Sequence, residues 1–229
     1  TRYLGNLAEF YLKSGNIAEA ERAFNDILRI EPNNVSALLY KAQYYQMKKE
    51  EDNYKKTIIS LVHNKELNLD TKITILTDKF ANAGKVDSTD KSFLIQMCQV
   101  LTQQYPDDHR SHHLMADMLY IGGKYEESRK YYLKTLAINN TEYNVWQNLF
   151  YTQNVLKLYQ EMADSTESAL EYFPANSIVY FYNGLANTQM ERLDKAEKSF
   201  RRSLRFMGEN KVLEAQINSA LADIYQKQK

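Results

Sequence analysis

The run His109-Arg110-Ser111-His112-His113 is where metal chemistry would first be sought in this chain of 229 residues. His109 and His113, at i and i+4, would share one face of a helix, and imidazoles at that spacing ligate zinc when further ligands close the set. Pro106-Asp107-Asp108 puts the pair at a helix start, with His109 at the edge of the first turn. No cysteine lies near, and beyond His112 the only other histidine is His63, so the expected role is structural or solvated and no metal site is expected. Cys98 stands among Leu94, Met97 and Leu101 at helical spacing, which reads as a buried thiol; a nucleophile would need a positioned base, and none is recognisable. The carboxylates are scattered, with no pair set apart as acid and base. Gly122-Gly123 reads as a turn between helices rather than a phosphate loop, and Lys48-Lys49-Glu50-Glu51-Asp52 as a solvated turn of mixed charge. Tyr131-Tyr132 and Tyr180-Phe181-Tyr182 read as packing rather than a ligand cage. The expectation is a protein with no catalytic residues and no cofactor.

Composition bounds the rest. Lys plus Arg and Asp plus Glu each number 29, so the net charge is zero. A neutral chain is not built to seek polyphosphate or an anionic membrane surface, and neither nucleic acid nor membrane insertion is expected. With Gly 7 and Pro 3 there is little material for hairpin turns, which argues against an all-β fold. One cysteine makes no internal disulfide, and no apolar run approaches the roughly 18–20 residues of a membrane span. The chain opens at Thr1 and reads as a trimmed piece of a longer protein.

The elements that would carry any site are marked by punctuation. Pro32, Pro106 and Pro174 each close an amphipathic stretch (ILRIEP, LTQQYP, LEYFP). On a unit of about 34 residues, Pro106 to Pro174 is two units, and Pro32 to Pro106 is two units plus six positions. A proline past a helix stops it, since it lacks the donor and biases its predecessor away from α. Between prolines a finer pattern recurs. Leu4, Leu7, Ala8 and Tyr11 precede Gly15, then come Ala20, Phe24 and Pro32. Leu38, Ala42, Tyr45, Tyr54 and Ile58 repeat it, as do His112, Met115, Ala116, Leu119, Gly123, Ser128 and Tyr132. Further copies are Trp146, Leu149, Phe150, Met162, Thr166 and Ala169, then Tyr180, Gly184, Ala196 and Phe200, and finally Leu221, Ala222 and Tyr225. This spacing resembles the tetratricopeptide repeat, a helix–turn–helix unit of about 34 residues.

The resemblance implies an all-α fold, a right-handed superhelical solenoid of stacked antiparallel helix pairs, about six repeats plus a terminal half-repeat in one domain over 1–229. The repeats would be 1–34, 35–66, 67–106 (degenerate, with an insertion), 107–140, 141–174 and 175–210, with the half-repeat at 211–229. The small residues Ala8, Ala42, Ala116, Gly184 and Ala222 would let paired helices approach closely. In the degenerate copy, Ile73, Leu76 and Phe80 suggest the first helix, ended by Ala83-Gly84, and Phe93, Leu94, Met97 and Leu101 the second; most of the six extra residues are expected in Lys85–Asp90. Phe150 in place of a small residue predicts wider or rearranged packing, Phe206–Val212 reads as about four extra residues, and the final helix is expected to expose apolar surface. A plain bundle lacks the fixed register, and the RNA-reading pentatricopeptide repeats need a cationic groove that is absent.

In the family resembled, first helices of successive units line a concave face. That implies a groove of Arg110, His113, Asp117 and Tyr120, then Asn144, Gln147, Tyr151 and Asn154, then Phe181, Leu185 and Thr188, continued by Glu9, Lys13, Gln43 and Gln46. Such amides and aromatics suit a peptide or helix of a partner protein. The Lys, Arg and Asn clamp of members that bind acidic chaperone tails is missing, since the matching places hold Gly5, Asn6 and Glu9, then Leu39, Tyr40 and Gln43. The expected function is a non-enzymatic interaction scaffold. A bacterial cell-envelope assembly or secretion factor, in cytoplasm or periplasm, and the substrate-holding part of a larger protein are the alternatives.

Overall fold

A helix leaves its first N–H groups without partners, and short polar side chains just ahead of it can accept from them. Asn34, Asn68, Asp108, Asn176 and Asn210 each do so, bonding a backbone N–H two or three residues on. Asn34 and Asn68 are one repeat length apart, as are Asn176 and Asn210, so the period is written into the caps. The computed structural model describes residues 2–82 and 88–228. Among them it holds thirteen helices and no strand. These are α1 (Arg2–Lys13), α2 (Ile17–Ile30), α3 (Val35–Lys48), α4 (Glu51–His63), α5 (Leu69–Asn82), α6 (Ser88–Gln104), α7 (His109–Ile121), α8 (Tyr125–Ile138), α9 (Tyr143–Val155), α10 (Tyr159–Tyr172), α11 (Ser177–Gln189), α12 (Leu193–Phe206) and α13 (Lys211–Lys227).

In the five pairs whose turn is described, the first helix is followed by a residue of positive φ. Gly15 and Gly123 supply two of these turns, while Lys49, Lys157 and Glu191 adopt φ near +57 to +59° at the corresponding places. The two residues at each turn send their N–H groups back to the helix end, as in Gly123 to the Tyr120 carbonyl and Lys124 to that of Leu119, both 2.9 Å. This reciprocal bonding closes the helix C-terminus and reverses the chain.

Close pairing of the helices then follows from one small and one large side chain. Ala8, Ala42, Ala116 and Gly184 are buried, and sixteen positions after each stands buried Phe24, Ile58, Tyr132 or Phe200. A Cβ on Gly184 would lie only 2.7 Å from the Phe200 ring. In α9–α10 the order is reversed, with Phe150 on the first helix and Thr166 on the second, both fully buried. These two helices pack less closely than α7–α8 or α11–α12. Between pairs, polar aromatics fasten the loops. His112 Nε2 donates to the Pro106 carbonyl (2.7 Å), Trp146 Nε1 to that of Asn140 (2.8 Å) and Tyr180 Oη to that of Pro174 (3.0 Å).

The chain forms two compact units, Thr1–Tyr105 and Pro106–Lys229. In the first, Leu12, Ala20, Phe24, Ile27, Ala37 and Tyr44 share a core. Lys72 is buried in this unit as well, with Nζ 2.8 Å from Gln104 Oε1 and 5.3 Å from the centre of the Tyr105 ring. In the second, Val145, Trp146, Leu149, Phe150, Met162 and Val179 join the helices of α7–α11, and Phe200, Leu213, Ile217, Leu221 and Ile224 join α12 to α13.

Three expectations are revised. The six extra residues do not sit mainly in a linker. Two of them widen the gap between α5 and α6, one lengthens α5 to 14 residues against 13 in α7, α9 and α11, and three lengthen α6 to 17 against 14 in α8, α10 and α12. Asp90 thus lies in the first turn of a helix, where it complements the dipole and pairs with Lys55 at 2.8 Å. Ala83-Gly84, Lys85–Asp87 and the side chain of Phe80 fall outside the described residues. Phe206–Val212 holds no insertion, because α13 starts one plain repeat length after α11 starts. In that register Ala222 is exposed rather than a close-approach position, and the apolar stripe of α13 is buried against α11 and α12, leaving Val212 and half-exposed Tyr225 outside.

Candidate functional site

In the second unit, the polar face of the first helices is organised around Asp117 on α7. Its Oδ1 accepts from Tyr132 Oη of α8 at 2.6 Å and from Asn148 Nδ2 of α9 at 3.2 Å, and its Oδ2 lies 3.6 Å from His113 Nε2. One carboxylate therefore ties together both helices of a pair and the next pair. Burial first, then the Asp117 charge, pushes the Tyr132 phenol well above its ordinary value, so it remains a donor to the carboxylate.

Beside this lies a tyrosine group. Tyr151 is 38% exposed; its ring meets Tyr182 edge-on at 5.3 Å, and its hydroxyl accepts from Gln147 Nε2 at 2.8 Å. Tyr120 packs edge-on against Tyr125 at 5.2 Å. Burial raises Tyr120, with Tyr125 and Tyr151 adding to the effect; Tyr182 is raised by burial and by Tyr151, and Tyr143 is pushed up to about 12 mainly by burial. The phenols form a hydrogen-bonding surface next to the Asp117 carboxylate.

The structure thus brings together His113, Asp117, Tyr120, Gln147 and Tyr151, with Asn144 and Asn154 exposed on the same helix α9. Arg110 is engaged by Asp108 through two bonds, Nε to Oδ1 at 2.9 Å and Nη2 to Oδ2 at 2.6 Å, which lowers the Asp108 carboxyl. On α11, Phe181 and Leu185 pack against the cluster shared by α12 and α13, and Thr188 Oγ1 donates to its own helix at Gly184. In the first unit, Glu9 accepts from Lys13 at 2.7 Å and from Tyr40 at 3.1 Å, and Gln43 and Gln46 are exposed. Residue-by-residue reading missed Asn148, Tyr132 and Tyr182, whose roles arise between helices.

His109 and His113 do face one partner, Glu142, at 3.2 Å from His109 Nδ1 and 3.7 Å from His113 Nδ1. Asn139 also donates to Glu142 at 3.2 Å. The Glu142 side chain accepts no N–H from its own helix, α9. Among the described residues no group of three His, Cys, Asp or Glu side chains is placed to hold a metal ion, and no helix is long and apolar enough to cross a membrane. Cys98 is a buried thiol.

Comparison with known proteins places this geometry in a fold. The tetratricopeptide repeat profile matches residues 1–34. The BBSome complex member BBS4 of Mus musculus is 26% identical over 120 residues, 52% of this chain and 22% of that protein, so the match spans about a fifth of the length of this curated relative. The C-terminal part of a TPR repeat-containing protein from Cytophaga hutchinsonii superimposes with a TM-score of 0.63 at 20% identity, over 98% of this chain and 89% of that one. PilW, a type IV pilus biogenesis factor, does so with a TM-score of 0.53 at 13% identity, over 94% and 97% of the two chains. Residues 1–34 match a tetratricopeptide repeat, and the whole chain shares with these solved repeat proteins an all-α fold of stacked helix pairs.

Proposed function

From the tetratricopeptide-repeat fold and the polar surface it carries, we propose that this protein is a non-catalytic scaffold whose second unit presents the faces of α7 and α9 to a peptide or helix of a partner protein. The observation that carries this reading is the exposed Tyr151 and half-exposed Tyr120, set beside Gln147 and the Asp117–Asn148–Tyr132 group. Tyrosines with few rotatable bonds anchor a partner at low entropic cost, and amides bond a peptide backbone. The carboxylate, held by three neighbours, fixes the spacing of the helices that present them. Affinity capture with the full-length gene product, followed by titration of the captured partner against wild type, Tyr120→Ala and Tyr151→Ala, tests the reading. Each variant should weaken binding about tenfold or more while keeping the helical circular dichroism of wild type. Unchanged affinity in both would refute it.

A further inference from the structure

α12 carries five cationic side chains, Lys195, Lys198, Arg201, Arg202 and Arg205, against two carboxylates, Asp194 and Glu197, in a chain that is neutral overall. Glu197 is taken up on the α13 side, where Arg201 Nε and Tyr225 Oη both donate to its Oε1 at 2.8 Å. Lys195, Lys198 and Arg202 remain on one stripe, at i, i+3 and i+7, exposed and with no carboxylate within ion-pairing distance among the described residues. They line a groove of about 230 Å³ between α10 and α12, whose other walls are Glu167, Leu170 and Tyr180.

The floor of this groove is polar. Asn183 stands one repeat after Leu149 and one repeat before Ile217, and Asn187 stands one repeat after Gln153, itself a buried amide, and one repeat before Leu221. Asn183, Asn187 and Ser199 are all buried. Ser199 Oγ donates to Asn183 Oδ1 (2.7 Å), Asn183 Nδ2 to Thr166 Oγ1 (2.8 Å), and Asn187 Nδ2 to the Asn183 side chain (3.0 Å). Burying amides is costly unless they are bonded, and here the bonds among them give the groove a polar floor. Arg202 is oriented in advance, with its guanidinium 5.5 Å from the centre of the Tyr180 ring.

We propose that this groove binds an acidic segment of a partner polypeptide, through Lys195, Lys198 and Arg202. The three cations spread over about 10 Å of helix, the length of about three residues of extended chain, so they match successive carboxylates rather than converging on one ion. The volume is below the range of about 300–1,000 Å³ typical of cofactor sites and suits one or two acidic side chains. Its three cations stand on the second helix α12, and its other lining comes from α10 and α11, so it is separate from the α7–α9 face proposed above.

The test uses a short labelled peptide alternating Glu and Gly, its Gln counterpart, and anisotropy titration at low and physiological salt. The acidic peptide should bind wild type and weaken as salt rises, and the Gln peptide should bind at least about tenfold less tightly. A Lys195→Gln, Lys198→Gln, Arg202→Gln variant, checked by circular dichroism, should lose about tenfold or more. Lys130→Gln with Lys134→Gln on α8 should not. The proposal is overturned if the acidic peptide does not bind at low salt, if the Gln peptide binds equally, or if the α8 variant loses as much as the α12 variant. It is also overturned if a single-stranded oligonucleotide occupies the same three residues more tightly than the peptide.

Discussion

Replacing Gly184 by alanine adds one methyl group at the tightest approach of two helices. The new Cβ would stand 2.7 Å from Cδ1 and Cε1 of Phe200 and 2.9 Å from Cζ. Carbon atoms rest about 3.5–4.0 Å apart, so the ring must retreat by close to an ångström. Phe200 cannot do this freely, since it is fully buried and packs in the cluster with Ala196, Leu213, Ile217, Leu221 and Ile224. Gly184 has no positive φ, so alanine brings no backbone strain, and its better helix propensity returns up to about 1 kcal/mol. Overpacking of this kind costs about 1–3 kcal/mol, so even with the full propensity gain the net loss reaches about 2 kcal/mol. Urea unfolding followed by far-ultraviolet circular dichroism reads this as a lower midpoint. Phe200→Leu in the Gly184→Ala background should cost less than in wild type, a coupling of about 1 kcal/mol, because the methyl occupies space the smaller side chain vacates. A Gly184→Ala protein as stable as wild type, with no coupling to Phe200, would refute the packing argument.

Tyr132→Phe removes the donor that holds Asp117 at 2.6 Å; it should lower stability by about 1.5–3 kcal/mol in the same urea assay, against about 0.5 kcal/mol or less for the half-exposed Tyr125→Phe. Gly123→Ala meets open space yet places alanine at φ +75°, so strain rather than collision should cost about 1–2 kcal/mol, read as a drop in melting temperature. Burial pushes Tyr54 and Tyr143 up to about 12, whereas an unfolded phenol titrates near about 10. The stability they contribute is therefore fully present below about pH 10 and is lost as pH rises through about 12. The urea midpoint should fall over that window, and a midpoint that stays flat across it while tyrosinate absorbance grows would contradict the assignment.

The repeat was legible because its signals are local. Prolines mark helix stops, and Ala8, Ala42, Ala116 and Gly184 mark close approaches. The turns at Lys49, Lys157 and Glu191 were not, because a lysine or glutamate of positive φ looks like any other exposed residue; only the register beside Gly15 and Gly123 identifies it. The final helix was misread by four positions because Ala222 imitates a small-residue position, while the cap at Asn210 holds the true frame. Phe150 hid its own compensation, the small Thr166 on the facing helix. In the candidate site, His113, Gln147 and Phe181 stand one repeat apart and look equivalent, yet packing against the α12–α13 cluster covers Phe181 and the neighbouring Leu185. The Asp117–Tyr132–Asn148 group joins three helices, and no spacing within one helix announces it.

The scaffold reading is tested most directly by photo-crosslinking. A photoreactive phenylalanine derivative placed at Tyr151 on α9, and in a separate preparation at exposed Leu133 on α8, would be irradiated in the presence of the captured partner. Crosslinking from position 151 and not from 133 is the predicted result. Crosslinking from 133 alone would contradict the assignment of the binding face to the first helices.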